Sequence, residues 1–560
     1  MAQTTGSHLI CKALKLEGVK NVFGLAGDHI LPLLDVMSDQ DFRIIDTRHE
    51  QAAVHMADAW SRITEQPGVC MYTTPGFANA IPGLTNAMHT EGAVISIAGC
   101  ADTHDLGRGA QQEIEQVAMA APMCKGSFMV LDVRRIPEFV ARAIRLAFSG
   151  RRGPVHLTIP IDVQEQGVDE NEIVFTRPEE YRASQSVLAN AELVRQAIAL
   201  LRDARRPLAI AGCAAGYTLS GDALQHFIET TRVPVVTEEQ ARVLVSDDHP
   251  YVFGFFERGL KRAAAKVRDA DVVVLLGRKQ DFVIGFCRPP HVSADAKIIQ
   301  IDPSPLEIGR NRGVAVGIVG DVTSVLEQMS KEASNHAWNE LPWIGELRAV
   351  RAAQDEWAEK LAQPKTPMHA LFVHKTIQSI LRPDDCLVFD GGDFCHFGRS
   401  LLPALKPKHW LYVSSLGMLG SSLPQALAAK VAYPDSRVIM MTGDGAFGFN
   451  AMEFDTAVRH KLNVVAILGN DSAWGIDRQI QLGLYGRPVA TDLLQTRYEQ
   501  VVQGLGGYGE FVESPNDLPP AIDRALAAGK PALLNVAVER AISPRAEAAI
   551  GRRKAAVPKN

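Results

Sequence analysis

Strand-length apolar runs alternate with helical patterns along almost the whole chain, and no other feature restricts its fold as much. They read "VISIAG", "PVHLTIP", "PLAIAGC", "DVVVLLG", "KIIQID", "CLVFDGG", "RVIMMTGDG" and "NVVAILGN". Runs that are apolar on both faces suit parallel strands sandwiched between helices, so the expected fold class is α/β with doubly wound sheets. At 560 residues the chain is too long for one core. Two polar, proline-containing stretches, "FTRPEEYRASQS" (175–186) and "AQPKTPMH" (362–369), read as linkers. They divide the chain into domains over 1–174, 186–335 and 366–545, with a basic tail over 546–560.

The first and third blocks look like distant copies. One runs helix "EQAAVHMADAWSRIT", strand "GVCMYTT", turn "PGFANA", helix "IPGLTNAMHT", strand "AVISIAG". The other runs helix "SSLPQALAAKVAY", strand "RVIMMTG", turn "DGAFGFN", helix "AMEFDTAVRH", strand "NVVAILGN". Two such halves facing each other would form a two-ended cleft at the carboxyl ends of their strands. Any two βαβ units share this outline, so the likeness needs a second signal.

Composition excludes several classes. Hydrophobic residues make up 46% and charged residues 22%, which fits a globular protein. The net charge of −6 argues against a nucleic-acid partner, which wants a basic face. "MAQTTGSHLICKALKLEGV" reads as an amphipathic helix, without the apolar core and cleavage site of a secretion signal. No stretch approaches the ~18 apolar residues of a membrane span. The eight cysteines form no CxxC pair, which suits a reducing cytoplasm and offers no zinc site.

The second signal lies in "GDGAFGFNAMEFDTAVRHKLNVVAILGND", Gly443 to Asp471. A Gly-Asp-Gly at a strand end lets the backbone turn sharply and approach a ligand closely. A helix starting near Asn450, and the amides of the turn, would favour a phosphate. The Asp444 carboxylate, the Asn470 amide oxygen and a nearby backbone carbonyl are hard oxygen ligands, suited to Mg²⁺ shared with a diphosphate. A Gly-Asp-Gly alone is usually a plain loop; the asparagine one helix and one strand later sets this one apart.

The stretch resembles the motif of thiamine-diphosphate (ThDP) enzymes, in which Gly-Asp-Gly is followed by Asn-Asn. Here the first asparagine is replaced by Gly469, and the second, the family's metal ligand, matches Asn470. The resemblance covers essentially the full chain, in the order pyrimidine-binding, middle and diphosphate-binding domain. It implies Mg²⁺ on Asp444, Asn470 and the Ser472 carbonyl, and cofactor contacts along Gly443, Asp444, Gly445, Ala446 and Phe447 and from Ala473 and Trp474. In "TRHEQAA", Glu50 stands where the family keeps the glutamate that bonds the aminopyrimidine and so promotes loss of the thiazolium C2 proton. "SSLGMLGSS" matches the segment that bends the cofactor, with Leu419 as the apolar wedge (Met418 is the neighbouring alternative) and the Gly417 carbonyl as an acceptor. The family assembles at least as a homodimer, and a homotetramer is common.

The reaction must be read from site residues, because the fold hosts many. The overall likeness is to benzaldehyde lyase and to the oxalyl-CoA decarboxylase and 2-hydroxyacyl-CoA lyase group: "IIDTRHEQAA", "IEQVAMAAP" and "RGPVHLTIPIDV" resemble benzaldehyde lyase, and "GAFGFNAMEF" resembles oxalyl-CoA decarboxylase. By this match His29 would move the proton of a substrate 2-hydroxyl and Gln111 would orient its oxygen; loop hydrogen bonding is the plainer reading of both. Arg399 stands where CoA-using relatives keep an arginine near the CoA phosphates. The tail carries Arg540, Arg545, Arg552, Arg553, Lys554 and Lys559 against Glu547 alone, and resembles the segment that closes over CoA. "ERGLKRAAAKVR" (257–268) reads as a second basic helix, along the same path or simply solvated. Trp474 and "GIDRQIQLGLYG" would wall the acyl pocket. In the middle domain Asp302 ends a strand, where relatives hold FAD or ADP; no full GxGxxG accompanies it, and a bare structural domain fits equally. The expected activity is cleavage of a 2-hydroxyacyl-CoA to formyl-CoA and an aldehyde or ketone. A benzaldehyde-lyase or acetolactate-synthase type without CoA, and an oxalyl-CoA decarboxylase, are the alternatives.

Overall fold

A computed structural model describes residues 3–182, 186–218, 221–242 and 244–556. Part of the first expected linker (183–185) and Lys559 of the tail lie outside the described residues. The chain forms two compact units. One comprises Met1–Ser184, Ser414–Pro434 and Asn450–Leu462; the other comprises Gln185–Val413, Asp435–Phe449 and Asn463–Asn560.

The first unit is built on a six-stranded parallel sheet, in the order Arg43–Asp46, Asn21–Gly24, Gly68–Tyr72, Val94–Cys100, Val155–Pro160, Gly126–Met129. Helix Glu50–Thr64 covers it. Its N-cap is His49, whose ring accepts from the Gln51 amide, and it ends at Glu65 in the left-handed region (φ 61°). Helix Thr74–Thr90 starts directly after Tyr72. The expected turn "PGFANA" is therefore helical. Pro75 lies in the first turn, where its fixed φ suits a helix start and its missing N–H costs nothing.

The second unit carries two parallel six-stranded sheets. The middle one runs Val252–Phe255, Val235–Thr237, Pro207–Ala211, Val272–Leu276, Lys297–Asp302, Val316–Val319. In chain order this is 3-2-1-4-5-6, the dinucleotide-binding arrangement. The other runs Trp410–Tyr412, Cys386–Phe389, Val438–Gly443, Val464–Asn470, Ala532–Ala537, Tyr508–Val512. Its chain order, 2-1-3-4-6-5, is also that of the first unit's sheet, so the likeness between the first and third blocks extends to topology. Every expected apolar run is a strand. The fold is α/β, with three parallel sheets flanked by helices.

Two expected helices change. Asp444–Phe447 is a single turn, and the helix beyond it is Glu453–Arg459. Within 257–268 only Arg262–Ala265 is α-helical, followed by a 3-10 turn over Lys266–Asp269. Among the described residues no helix is long and apolar enough to cross a membrane, and all eight cysteines are buried, none of them in a disulfide.

Candidate active site

The expected site residues fall in both units. In the second, the parallel register pairs Gly443 with Gly469, so Asp444 and Asn470 leave neighbouring strand ends side by side. The strand Cys386–Phe389 borders Val438–Gly443, where the strand order reverses, and such switch points are where open α/β sheets bind ligands. Gly443 and Gly445 do not use positive φ. Gly445 is needed for space instead: a Cβ there would lie 2.8 Å from the Trp474 ring. Gly469 departs from the family's asparagine for a similar reason, since its Cβ would lie 2.2 Å from the Phe394 ring.

Asp444 is 2% exposed, and its Oδ2 accepts from the Ala473 amide at 3.1 Å. Its side chain meets that of Asp471. Burial, reinforced by the Asp471 charge, pushes the Asp444 carboxyl well above the ordinary carboxylate range; burial pushes Asp471 up as well. Asp393, at the start of helix Asp393–Leu401, is pushed up to about 7 by burial, with the Asp471 and Asp477 charges adding to it. Its Oδ1 accepts from Ser543, while Oδ2 is buried without a partner. Burial outweighs the nearby Arg540 and Arg545 charges at these carboxyls, and the Asp471 charge opposes ionisation of both Asp444 and Asp393, so the cluster is short of positive charge. A divalent metal on hard oxygen ligands fits that deficit.

Asn470 is oriented from both ends. Its Nδ2 donates to Asn535 Oδ1 at 3.1 Å, and its Oδ1 accepts from the Ser472 amide at 3.1 Å. Ser472 adopts φ 54°. Its carbonyl accepts from the Leu493 amide and from an Arg540 guanidinium nitrogen, both at 2.8 Å. Ala446 and Phe447 are buried in the turn, with Phe447 edge-on to Tyr498.

Trp474 opens a cleft of about 420 Å³ that is also lined by Ile480, Tyr485, Val489, Thr491 and Arg553. The expected pocket wall and one expected CoA residue thus share a cavity. Arg553 belongs to helix Pro544–Ala556, with Arg552 and Lys554 exposed beside it. The tail is thus helical over these residues, and its Ile550 packs where a Cβ on Gly483 would sit, 2.5 Å away. Arg399 is only 2% exposed. Its guanidinium lies 4.9 Å over the Tyr412 ring and 3.8 Å from Glu257, and Nε and Nη1 have no hydrogen-bond partner.

In the first unit, Glu50 opens its helix and is 6% exposed. Its Oε2 accepts from Asn79 at 3.1 Å. A Cβ on Gly76 would come within 2.7 Å of Oε1, so that glycine keeps the carboxylate open. The preceding corner is pinned where the Arg48 amide donates to both Glu453 oxygens at 3.1 Å. Gly417 is exposed with φ 75°, and Leu419 is half-buried beside it. Asn450 holds this loop by donating to the Gly420 carbonyl at 2.8 Å.

His29 is buried, with Nδ1 at 3.1 Å from both Thr73 and Thr74 hydroxyl oxygens. Burial lowers its pKa, opposed by the Asp28 and Asp102 charges. Gln111 is exposed on the loop before helix Gln116–Ala120. Two glutamines are bonded around His29: Gln116, through Thr74 at 2.9 Å, and Gln164, whose Nε2 donates to the His29 carbonyl at 2.7 Å. The sequence reading missed Gln116, Asp471 and Asp393. Asp471 was legible as a second carboxylate next to Asn470; nothing in the sequence separates Gln116 from Gln111 or Gln112.

The family models for the thiamine pyrophosphate enzyme N-terminal, central and C-terminal domains match residues 4–119, 194–329 and 390–536. The chain is 32% identical over 550 residues to an acetolactate synthase large subunit of Mycobacterium tuberculosis, covering 97% of each. It is 30% identical to the oxalyl-CoA decarboxylase of Escherichia coli, covering 97% of this chain and 96% of the other. Against the 2-hydroxyacyl-CoA lyase 1 of Mus musculus the identity is 31%, over 96% and 94%. The chain belongs to the thiamine pyrophosphate enzyme family: it is a thiamine-diphosphate-dependent enzyme with carbon–carbon lyases among its relatives.

Proposed function

We propose that this enzyme cleaves the carbon–carbon bond of a 2-hydroxyacyl-CoA, releasing formyl-CoA and an aldehyde or ketone, and runs in reverse as an acyloin-type condensation. The observation that carries the CoA assignment is an excess of cations. Arg545 and Arg399 share one carboxylate, Glu257, at 3.2 and 3.8 Å. Arg258 is lowered in pKa by burial and by the charge of Arg552, and His291 is lowered by burial and then by both arginines. The other acid acting on Arg258, Asp281, is already forked to Arg278. Guanidinium groups in such excess suit the phosphates of CoA, and Arg399, Arg552, Arg553 and Lys554 would bind them.

Bound ThDP supplies a nucleophilic carbon and an electron sink for the acyl fragment. Asp444, Asn470 and the Ser472 carbonyl hold Mg²⁺, with Asp471 and Asp393 adding negative charge around it. Gly443, Gly445, Ala446, Phe447, Ala473 and Trp474 seat the cofactor. Glu50, oriented by Asn79, shares a proton with the pyrimidine nitrogen. Leu419 supplies an apolar wedge and Gly417 a carbonyl acceptor. His29 takes the proton of the substrate 2-hydroxyl as the bond breaks, and Gln111 orients that oxygen. From the family resemblance a homodimer or homotetramer is expected, with ADP or FAD as the candidate ligand at the carboxyl end of the middle sheet, and the cysteines without a CxxC pair support a cytoplasmic setting.

Two parallel assays with ThDP and Mg²⁺, read by mass spectrometry, test the reaction. One holds a panel of 2-hydroxyacyl-CoA thioesters, the other benzoin and pyruvate. Formyl-CoA with a carbonyl product is expected. Benzoin cleavage or acetolactate without any CoA product would replace this reading with the CoA-free one.

A further inference from the structure

A continuous line of buried polar groups runs through the first unit to His29, and each of its hydrogen bonds has a fixed direction. Tyr72, Ser96, His156, Thr158, Gln116 and Thr74 are each at most 1% exposed. The Gly99 carbonyl can only accept, and it takes Gln116 Nε2 and the Thr74 hydroxyl, both at 3.0 Å. That fixes the Gln116 amide, so its Oε1 accepts from the Thr158 hydroxyl at 3.1 Å. Thr158, its proton committed, accepts from His156 Nε2 at 2.9 Å. The His156 Nδ1 lone pair then takes the Ser96 hydroxyl at 2.9 Å, and Ser96 accepts from Tyr72.

The same logic reaches the other end. Gln116 donates its second N–H to Thr74 at 2.9 Å, and the Thr74 proton is already on Gly99. The Thr74 oxygen at 3.1 Å from His29 Nδ1 is thus left only to accept. A lone pair on Nδ1 would face that oxygen repulsively; an N–H there is bonded. We infer that Thr74, locked by Gln116 and the Gly99 carbonyl, is a positioning residue that holds His29 as its Nδ1–H tautomer and so leaves Nε2 as the proton acceptor. One ring nitrogen fixed by a hydrogen bond, the other free for chemistry, is how histidine bases are set. Thr73, also at 3.1 Å from Nδ1, is the competitor: with Thr74 lost, its hydroxyl would donate to Nδ1 and move the proton to Nε2. The inference rests on His29 being the base proposed above.

The test compares Thr74→Val, Thr74→Ser, Gln116→Met, His29→Ala and the Thr74→Val/His29→Ala double variant in the ThDP- and Mg²⁺-loaded enzyme. Three quantities are read: cleavage kinetics, deuterium exchange at the cofactor C2 position, and the His29 tautomer by nitrogen NMR of histidine-labelled protein. Thr74→Val is expected to lower kcat about 100-fold, and Thr74→Ser to recover it to within about threefold, as for loss and return of acid–base function. KM and C2 exchange, which Glu50 serves, should hold. His29→Ala should match Thr74→Val, and the double variant should fall no further. Gln116→Met, which keeps the Thr74 hydroxyl, should blur the single Nδ1–H tautomer. A parental rate in Thr74→Val beside a collapsed His29→Ala would overturn this inference alone, as would an Nε2–H signal in the parent or a parallel loss of C2 exchange. A parental rate in His29→Ala would overturn the reading of His29 itself.

Discussion

Asp444 and Asp471 meet where burial raises both carboxyls, the Asp471 charge raises Asp444 further, and Arg540 relieves Asp471 only in part. Functional sites accept such costs. Asp444→Asn should therefore stabilise the cofactor-free protein while destroying cofactor binding. The expected gain is ~1 kcal/mol in urea unfolding of the apoprotein. Mg²⁺ with ThDP should raise the stability of the parent by mass action and leave the variant unmoved. A variant less stable than the parent without cofactor would show that the pair is not in conflict. The same scale shows where the sequence was readable. Asp444 and Asn470 are a spacing, and a spacing survives in one dimension. Gly469 looked like a flaw in the motif until the Phe394 ring filled its place. Gln116 could not be told from its neighbours, because what distinguishes it is Gly99, a residue of the strand Val94–Cys100.

Helices and strands differed in how clearly they could be read. Central parallel strands are apolar on both faces and stand out as continuous runs, and most were legible; Asn21–Gly24, Val235–Thr237 and Ala532–Ala537 were not among the runs read. Edge strands such as Arg43–Asp46, Val316–Val319 and Trp410–Tyr412 are too short for a pattern. The C-terminal helix was read as a basic tail because its composition is charged and alanine-rich; what holds it is tertiary, Ile550 against Gly483. That contact gives a test of the helix as an element. A side chain at Gly483 overpacks the contact, which typically costs ~1–3 kcal/mol, and should lift the helix. Gly483→Val is expected to raise KM for a CoA thioester about tenfold, equal to ~1.4 kcal/mol, while cleavage of small hydroxyketones stays within twofold (roughly). Limited proteolysis should cut the variant faster near residue 550. Equal losses on both substrate classes would separate the helix from CoA.

Across the whole molecule, burial holds groups of opposite chemistry away from their ordinary protonation. His55 and His156 are lowered to about 3 and His374 to about 4, each chiefly by burial. Unfolding frees them to bind protons below about pH 6.5, so each costs the fold stability as pH falls through that window, by ~1.4 kcal/mol per pH unit. Asp393 works the other way. Raised to about 7, it holds a proton in the folded state that the unfolded chain releases above about pH 4, so its contribution grows as pH falls. Measured stability is the remainder, and its pH dependence alone identifies no group. A proton count does. Calorimetric unfolding at pH 5 in buffers of different ionisation enthalpy gives the protons taken up. His156→Gln should take up about one fewer than the parent there and the same number at pH 8, where the unfolded histidine is neutral. An unchanged count at pH 5 would mean that His156 already carries its proton when folded. Its Nδ1 could then no longer accept from Ser96, and the Ser96 and Tyr72 hydroxyls would have to turn, while Nε2 would still donate to Thr158 on the side that runs to His29.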